Sequence, residues 1–203
     1  QGYLVVCFDF RGGGSGSQSD GSPLNMTIFT EQQDLEAEIA MLRARSDVNE
    51  QYIFLLGNSQ GGVVSALTAA AHPDWVRAMA LSSPAFSLAD DARKLFGSVD
   101  EIPEQYFHLM MNVGRDYFAS VYDFDPIDAA KSYPGDVLIF HGDRDTLVPI
   151  DYSRRAAESF PNAMLQVLSG EGHMYSGQAV RQTIDSISDF FYTHLGKAAM
   201  PQS

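Results

Sequence analysis

Three short stretches of this sequence carry the residue types that acyl transfer needs: Gly57-Asn58-Ser59-Gln60-Gly61, His141-Gly142-Asp143-Arg144-Asp145 and Gly170-Glu171-Gly172-His173. A serine hydroxyl is nearly inert until a base takes its proton. Ser59 stands in a G-x-S-x-G set, whose glycines permit the tight turn that holds a serine Oγ clear of the backbone. His173 is the candidate base. Asp145 is the candidate acid, a carboxylate able to set the imidazole tautomer and stabilise the imidazolium, and Asp143 is its rival. Each has a plainer reading on its own: a turn serine, a loop histidine, a turn or helix-cap aspartate. Their order and their context favour chemistry, because each stretch directly follows an apolar run. His72, His108, His141 and His194 lack such a context and read as structural. Their scatter offers no metal-ligand spacing, so neither a metal nor another cofactor is expected.

The runs that must position these residues alternate in kind. Tyr3-Leu4-Val5-Val6-Cys7-Phe8 and Tyr52-Ile53-Phe54-Leu55-Leu56 read as strands buried on both faces. Further strands are expected at Val76 to Leu81, Val137 to Phe140 and Met164 to Leu168. Helical spacing of Leu35, Ile39 and Leu42 predicts a helix from Thr27 to about Arg45. Others are expected at Gly61 to Ala71, at 151–159, and at 178–195 with Val180, Ile184, Ile187 and Phe191 on one face. Such alternation predicts an α/β fold, a mostly parallel sheet with helices on both faces. Ligands of such sheets bind beyond the carboxyl ends of the strands, where all three chemical stretches fall.

One segment breaks the rhythm. Residues 1–84 and 136–203 read as two parts of one core, and 85–135 as an insertion rich in aromatics and methionine, expected to form a cap over the site. Arg11 to Ser22 is Gly/Ser-rich loop. It fits neither G-x-G-x-x-G nor a Gly-Lys-Ser/Thr motif, so it carries no nucleotide reading.

The bulk composition narrows the partners. At 203 residues with 45% hydrophobic content, the chain can bury one sizeable core. A net charge of −13 argues against nucleic acid or an anionic membrane as partner. No apolar run approaches the roughly 20 residues of a membrane span. Cys7 is the single cysteine, which excludes an intrachain disulfide, and its apolar surroundings predict a core residue. With no disulfide and no span, cytoplasmic is the default compartment.

Asp9-Phe10-Arg11-Gly12, Gly57 to Gly62, His141 to Asp145 and Gly172-His173, in that order, resemble the α/β-hydrolase superfamily over nearly the whole chain. Ser19-Asp20-Gly21, Asn25-Met26-Thr27 and Ser59 to Val64 look more narrowly like the bacterial cinnamoyl/feruloyl esterases. That resemblance implies a serine-dependent ester hydrolase releasing hydroxycinnamic acids from small-molecule esters. It implies that the Gln60 N–H lies in the oxyanion hole, and that a cap residue pair, by register Asp91 and Tyr117, meets the phenolic end of the substrate. This chain has Asn58 where many relatives have histidine. It also opens one strand later than the family, so a preceding segment with N-terminal strands and the second oxyanion donor is expected to be missing. The competing expectations are a lipase-like carboxylesterase, a thioesterase or a peptidase of the same fold, and a non-catalytic binding homologue.

Overall fold

A computed structural model describes residues 2–14 and 16–196, and within them strands and helices alternate. The order is α1 (Ile28–Arg43), β1 (Phe54–Asn58), α2 (Gln60–Ala71), β2 (Ala78–Ser82), α3 (Leu88–Leu95), β3 (Gln105–His108), β4 (Met111–Gly114), α4 (Arg115–Ala119), α5 (Pro126–Ala130), β5 (Asp136–Gly142), α6 (Ile150–Ser159), β6 (Ala163–Leu168) and α7 (Gly177–Thr193). Four strands form a parallel sheet in the order β1-β2-β5-β6, and β3 pairs antiparallel with β4 in a separate hairpin. This is the α/β-hydrolase arrangement.

Local chemistry starts the elements. The Thr27 hydroxyl accepts from the Thr30 N–H while the Thr30 hydroxyl accepts from the Thr27 N–H, a reciprocal cap that satisfies two orphan donors at the start of α1. The period-2 geometry of strands then divides the core. Met79 and Leu81 of β2, with Val137 and Ile139 of β5, join α1, α2 and α6 through residues such as Ile39, Val64, Leu67 and Ala156. The intervening Ala80, Leu138 and Phe140 face the other way, onto Ile187 of α7. Each fully buried large aliphatic of these two layers contributes about 1.5–3 kcal/mol.

The first expected strand does not form. Tyr3 to Phe8 has no regular secondary structure, and Leu4, Val5, Val6 and Phe8 are exposed, as is Cys7, which is therefore not a core residue. A strand requires a ladder for its N–H and C=O groups, and among the described residues none pairs with this run. Its described ring contacts are Tyr3 edge-on to Phe54, with centroids 6.3 Å apart, and Phe8 edge-on to Phe10 at 5.0 Å. The second strand begins at Phe54 rather than Tyr52 and is an edge strand of the described sheet, so Leu56 is exposed rather than buried.

The stripe on α7 also differs from expectation. Ala179, Thr183 and Ile187 are buried, whereas Val180 and Ile184 are exposed. From α7, Ile187 is buried against Ala80, Leu138 and Phe140, with Phe190 and Phe191 packed beside it.

Between β2 and β5 the chain builds α3, the β3–β4 hairpin, α4 and α5. Its aromatics pack on one another: Phe118 meets Phe96 edge-on at 5.2 Å and Tyr106 at 5.7 Å. Edge-to-face geometry suits the ring quadrupoles and adds to area burial. No helix of the described residues is long and apolar enough to cross a membrane.

Candidate active site

The carboxyl ends of the parallel strands bring Ser59, Asp145 and His173 together. Ser59 stands between the end of β1 and the start of α2, with φ 51° and ψ −120°. That conformation is disfavoured for a residue with a Cβ and costs on the order of 1–3 kcal/mol. The surroundings hold it there. The Ser59 N–H donates to the Ser82 carbonyl at 2.9 Å, while the Ser59 carbonyl accepts from the N–H groups of Gly62 and Ala85 at 3.0 Å each. Gly57 is required by close approach, since a Cβ there would stand 2.4 Å from the Gly61 carbonyl oxygen. A Cβ at Gly62 would meet Pro84 at 2.9 Å.

A continuous hydrogen-bond chain leads away from the Ser59 hydroxyl. It lies 3.1 Å from His173 Nε2, and His173 Nδ1 lies 2.7 Å from Asp145 Oδ2. With its Nδ1–H donating to the carboxylate, His173 presents an unprotonated Nε2 able to accept the serine proton. The Asp145 side chain is fully buried. Burial alone would raise its pKa, but the Val148 N–H, the His173 ring and the Leu147 N–H outweigh burial and hold the carboxyl below its ordinary value. Both backbone groups donate to Oδ1 at 2.9 Å. Asp143 does not face His173; it accepts from the Gly170 N–H at 2.7 Å and so fixes the turn that carries the histidine.

His141 and Gly142 complete the support. His141 is fully buried; its Nε2–H donates to the Val148 carbonyl at 2.9 Å and lies 3.1 Å from Asp145 Oδ2. Its Nδ1 accepts from the Ser153 hydroxyl at 2.6 Å. Burial lowers its pKa, opposed by the Val148 carbonyl and Asp145. Gly142 lets the loop before His173 pass directly over β5, because a Cβ there would sit 2.3 Å from the Glu171 carbonyl oxygen. The Tyr175 hydroxyl, two residues after the histidine, donates to the Phe140 carbonyl at 3.1 Å and contacts the Ser83 hydroxyl at 2.9 Å.

Gln60 is the first residue of α2, so its N–H is among the first-turn donors that have no acceptor within the helix. Its side chain is held at both ends. Nε2–H donates to Glu31 Oε2 at 2.8 Å, and Oε1 accepts from the Tyr117 hydroxyl at 2.6 Å. Glu31 is 5% exposed. Burial pushes its carboxyl up to about 7, with the Gln60 bond opposing and Asp34 adding to the rise. Burial also raises the Tyr117 hydroxyl, helped by Glu31 and Asp91.

Of the expected pair, Tyr117 therefore touches the Ser59 elbow through Gln60. Asp91, on α3, accepts from the Ser87 hydroxyl at 2.6 Å and pairs with Lys94 at 3.2 Å, without a direct bond to Tyr117. His141 was expected to be structural, and it supports the loop that carries Asp145. Glu31 was not singled out from sequence. It had a readable signal, since it shares the four-residue spacing of Leu35 and Ile39 on the buried side of α1. Among the described residues no group of three or more His, Cys, Asp or Glu side chains could hold a metal ion.

Comparison with known proteins agrees with this architecture. Residues 1–123 match the family described as serine aminopeptidase, S33. An uncharacterized protein, YfhR of Escherichia coli O157:H7, is 30% identical over 173 residues, covering 83% of this chain and 53% of that protein. The chain thus spans about half the length of the curated relatives it matches. Est1E from Butyrivibrio proteoclasticus, in a structure with ferulic acid bound, superposes with a TM-score of 0.81 at 26% identity, covering 92% of this chain and 75% of that one. Mouse alpha/beta hydrolase domain-containing protein 10 superposes at 0.71 with 21% identity, covering 91% and 76%, which shows a shared fold.

Proposed function

Because the chain belongs to the serine aminopeptidase S33 family of α/β hydrolases, we propose that it hydrolyses carboxylic esters through an acyl-enzyme on Ser59, with hydroxycinnamoyl (feruloyl-type) esters as substrates. The observation that carries this reading is the unbroken chain from Asp145 through His173 to Ser59, ending on a serine held in a strained turn.

In the proposed reaction His173 Nε2 takes the Ser59 proton as Oγ attacks the ester carbonyl. The Gln60 N–H stabilises the oxyanion, and Asp145 stabilises the imidazolium. His173 then protonates the departing alcohol. Water repeats the sequence and releases the acid. No metal or organic cofactor enters these steps.

The acyl preference rests on two supports. Est1E, 26% identical over most of this chain, binds ferulic acid. The aromatic-rich residues 85–135 place Tyr117 against Gln60, as a cap over the site would, and Asp91 is close enough to raise the Tyr117 pKa. Tyr117 and Asp91 would meet the phenolic end of the acyl group.

The family description supports a second reading, a peptidase, since the same triad cleaves amides. The full-length protein, assayed beside Ser59→Ala on methyl ferulate, p-nitrophenyl butyrate and an aminoacyl p-nitroanilide, separates the two. Ferulate release that vanishes in the variant supports the ester reading. Turnover of the anilide alone through Ser59 keeps the nucleophile and replaces the substrate class.

A further inference from the structure

A carboxylate that is almost fully buried without a cation destabilises a fold, so a role beyond stability is worth seeking for it. Among the described residues Glu31 is in that position. The Arg11 guanidinium pairs with Asp34, one turn further along α1, and Gln60 is the described side-chain hydrogen-bond partner of Glu31. Gln60 in turn is anchored from a second direction, by Tyr117 of α4.

We propose that Glu31 is a positioning residue for the oxyanion hole: by holding the Gln60 amide against Tyr117 it fixes the peptide plane whose N–H faces the reacting carbonyl oxygen. The inference rests on Ser59 being the nucleophile. A primary amide bonded at both Nε2 and Oε1 cannot turn about its side-chain torsions. Its Cα, at the first position of α2, is then tied to α1 on one side and to α4 on the other. The carbonyl end of the same peptide plane accepts from the Gly62 and Ala85 N–H groups, and the side-chain tether adds a restraint from α1 and α4 at the N–H end. An oxyanion donor acts by being in place before the charge develops, and its value falls steeply with misalignment.

The test uses the full-length protein, with kcat for p-nitrophenyl butyrate expressed per site titrated by a fluorophosphonate probe. Glu31→Leu keeps the volume and removes the acceptor. The expected result is a kcat about tenfold lower with KM unchanged, a fraction of the loss that follows removal of a whole donor, together with a higher thermal midpoint. A purely structural role would move rate and midpoint in the same direction. Glu31→Gln keeps an acceptor for Gln60 and should restore kcat to within about twofold of wild type. Gln60→Ala retains the backbone donor and should lose as much as Glu31→Leu, and the double variant should lose no more than either, because both cut one tether. Wild-type kcat per titrated site in Glu31→Leu, equal losses in Glu31→Leu and Glu31→Gln, or additive losses in the double variant would overturn the assignment. A wild-type protein that the probe does not label would instead remove the Ser59 reading beneath it.

Discussion

His141 Nε2 stands 3.1 Å from Asp145 Oδ2, the same oxygen that lies 2.7 Å from His173 Nδ1. One carboxylate oxygen thus serves two imidazoles, one fully buried and one facing the serine. The other oxygen is filled by the Leu147 and Val148 N–H groups. Asp145 is held from all sides, and only His173 among its partners can move a proton to the reacting atoms.

Replacing His141 by leucine removes the ring beside Asp145 and leaves the buried Ser153 hydroxyl and Val148 carbonyl without their partner. A loss of about 1–3 kcal/mol in folding free energy should follow, read from the urea midpoint. The pH sign is specific. Burial depresses the His141 pKa, so its contribution is present above the ordinary histidine value of 6.5 and lost as pH falls toward the folded value. The leucine variant should lack that acid-side decline.

Asp145→Asn should lower kcat by about 10⁴-fold, because the amide no longer fixes the Nδ1–H tautomer or stabilises the imidazolium. Asp143→Asn should leave the rate within a few fold, since Asp143 accepts from the Gly170 N–H and does not face His173. Equal losses in the two variants, measured on p-nitrophenyl butyrate, would return Asp143 to the acid's place.

Gly142→Ala would drive a Cβ into the Glu171 carbonyl at 2.3 Å and the Gly172 carbonyl at 2.6 Å. The loop bearing His173 must then move off β5. Displacement of a base by about 1 Å costs on the order of 10²-fold in rate. A kcat loss of that size, with probe labelling of Ser59 slowed in parallel, is the expected outcome. Gly61→Ala meets no atom within 4 Å and should be far milder.

Glu31 makes stability depend on pH in the opposite sense to His141. Burial raises its carboxyl from the ordinary 4.5 to about 7. Its favourable contribution is therefore complete below 4.5 and is lost as pH rises through about 7. The shift corresponds to about 3 kcal/mol. Urea midpoints of wild type and Glu31→Gln from pH 5 to 8 should diverge in the variant's favour as pH rises. A constant gap would mean that Glu31 titrates normally.

Much of the site was legible along the chain because its determinants are local. Gly57-Asn58-Ser59-Gln60-Gly61 between an apolar run and an alanine-rich helix already implies a strained turn, and the strained φ of Ser59 is what that composition produces. The expected strands at Val137 to Phe140 and Met164 to Leu168 lie within β5 and β6, since β-branched and aliphatic runs bounded by turn residues need only a neighbour to pair with. The α1 helix starts at its threonine cap for the same local reason.

Pairing and facing were decided elsewhere. Tyr3 to Phe8 has a strand's composition but no ladder among the described residues, and α7 buries Ala179 and Thr183 rather than Val180 and Ile184. The Glu31–Gln60–Tyr117 bridge and the doubly bound Asp145 oxygen join residues 29, 57, 28 and 4 positions apart. Propensity and period are properties of a segment, so the sequence by itself determined which residues are candidates for the chemistry and which segments turn, coil or extend. Which hydrogen-bonding group ends beside which, and which helix row is buried, depends on the packing of segments distant in the chain, and only the tertiary structure decided it.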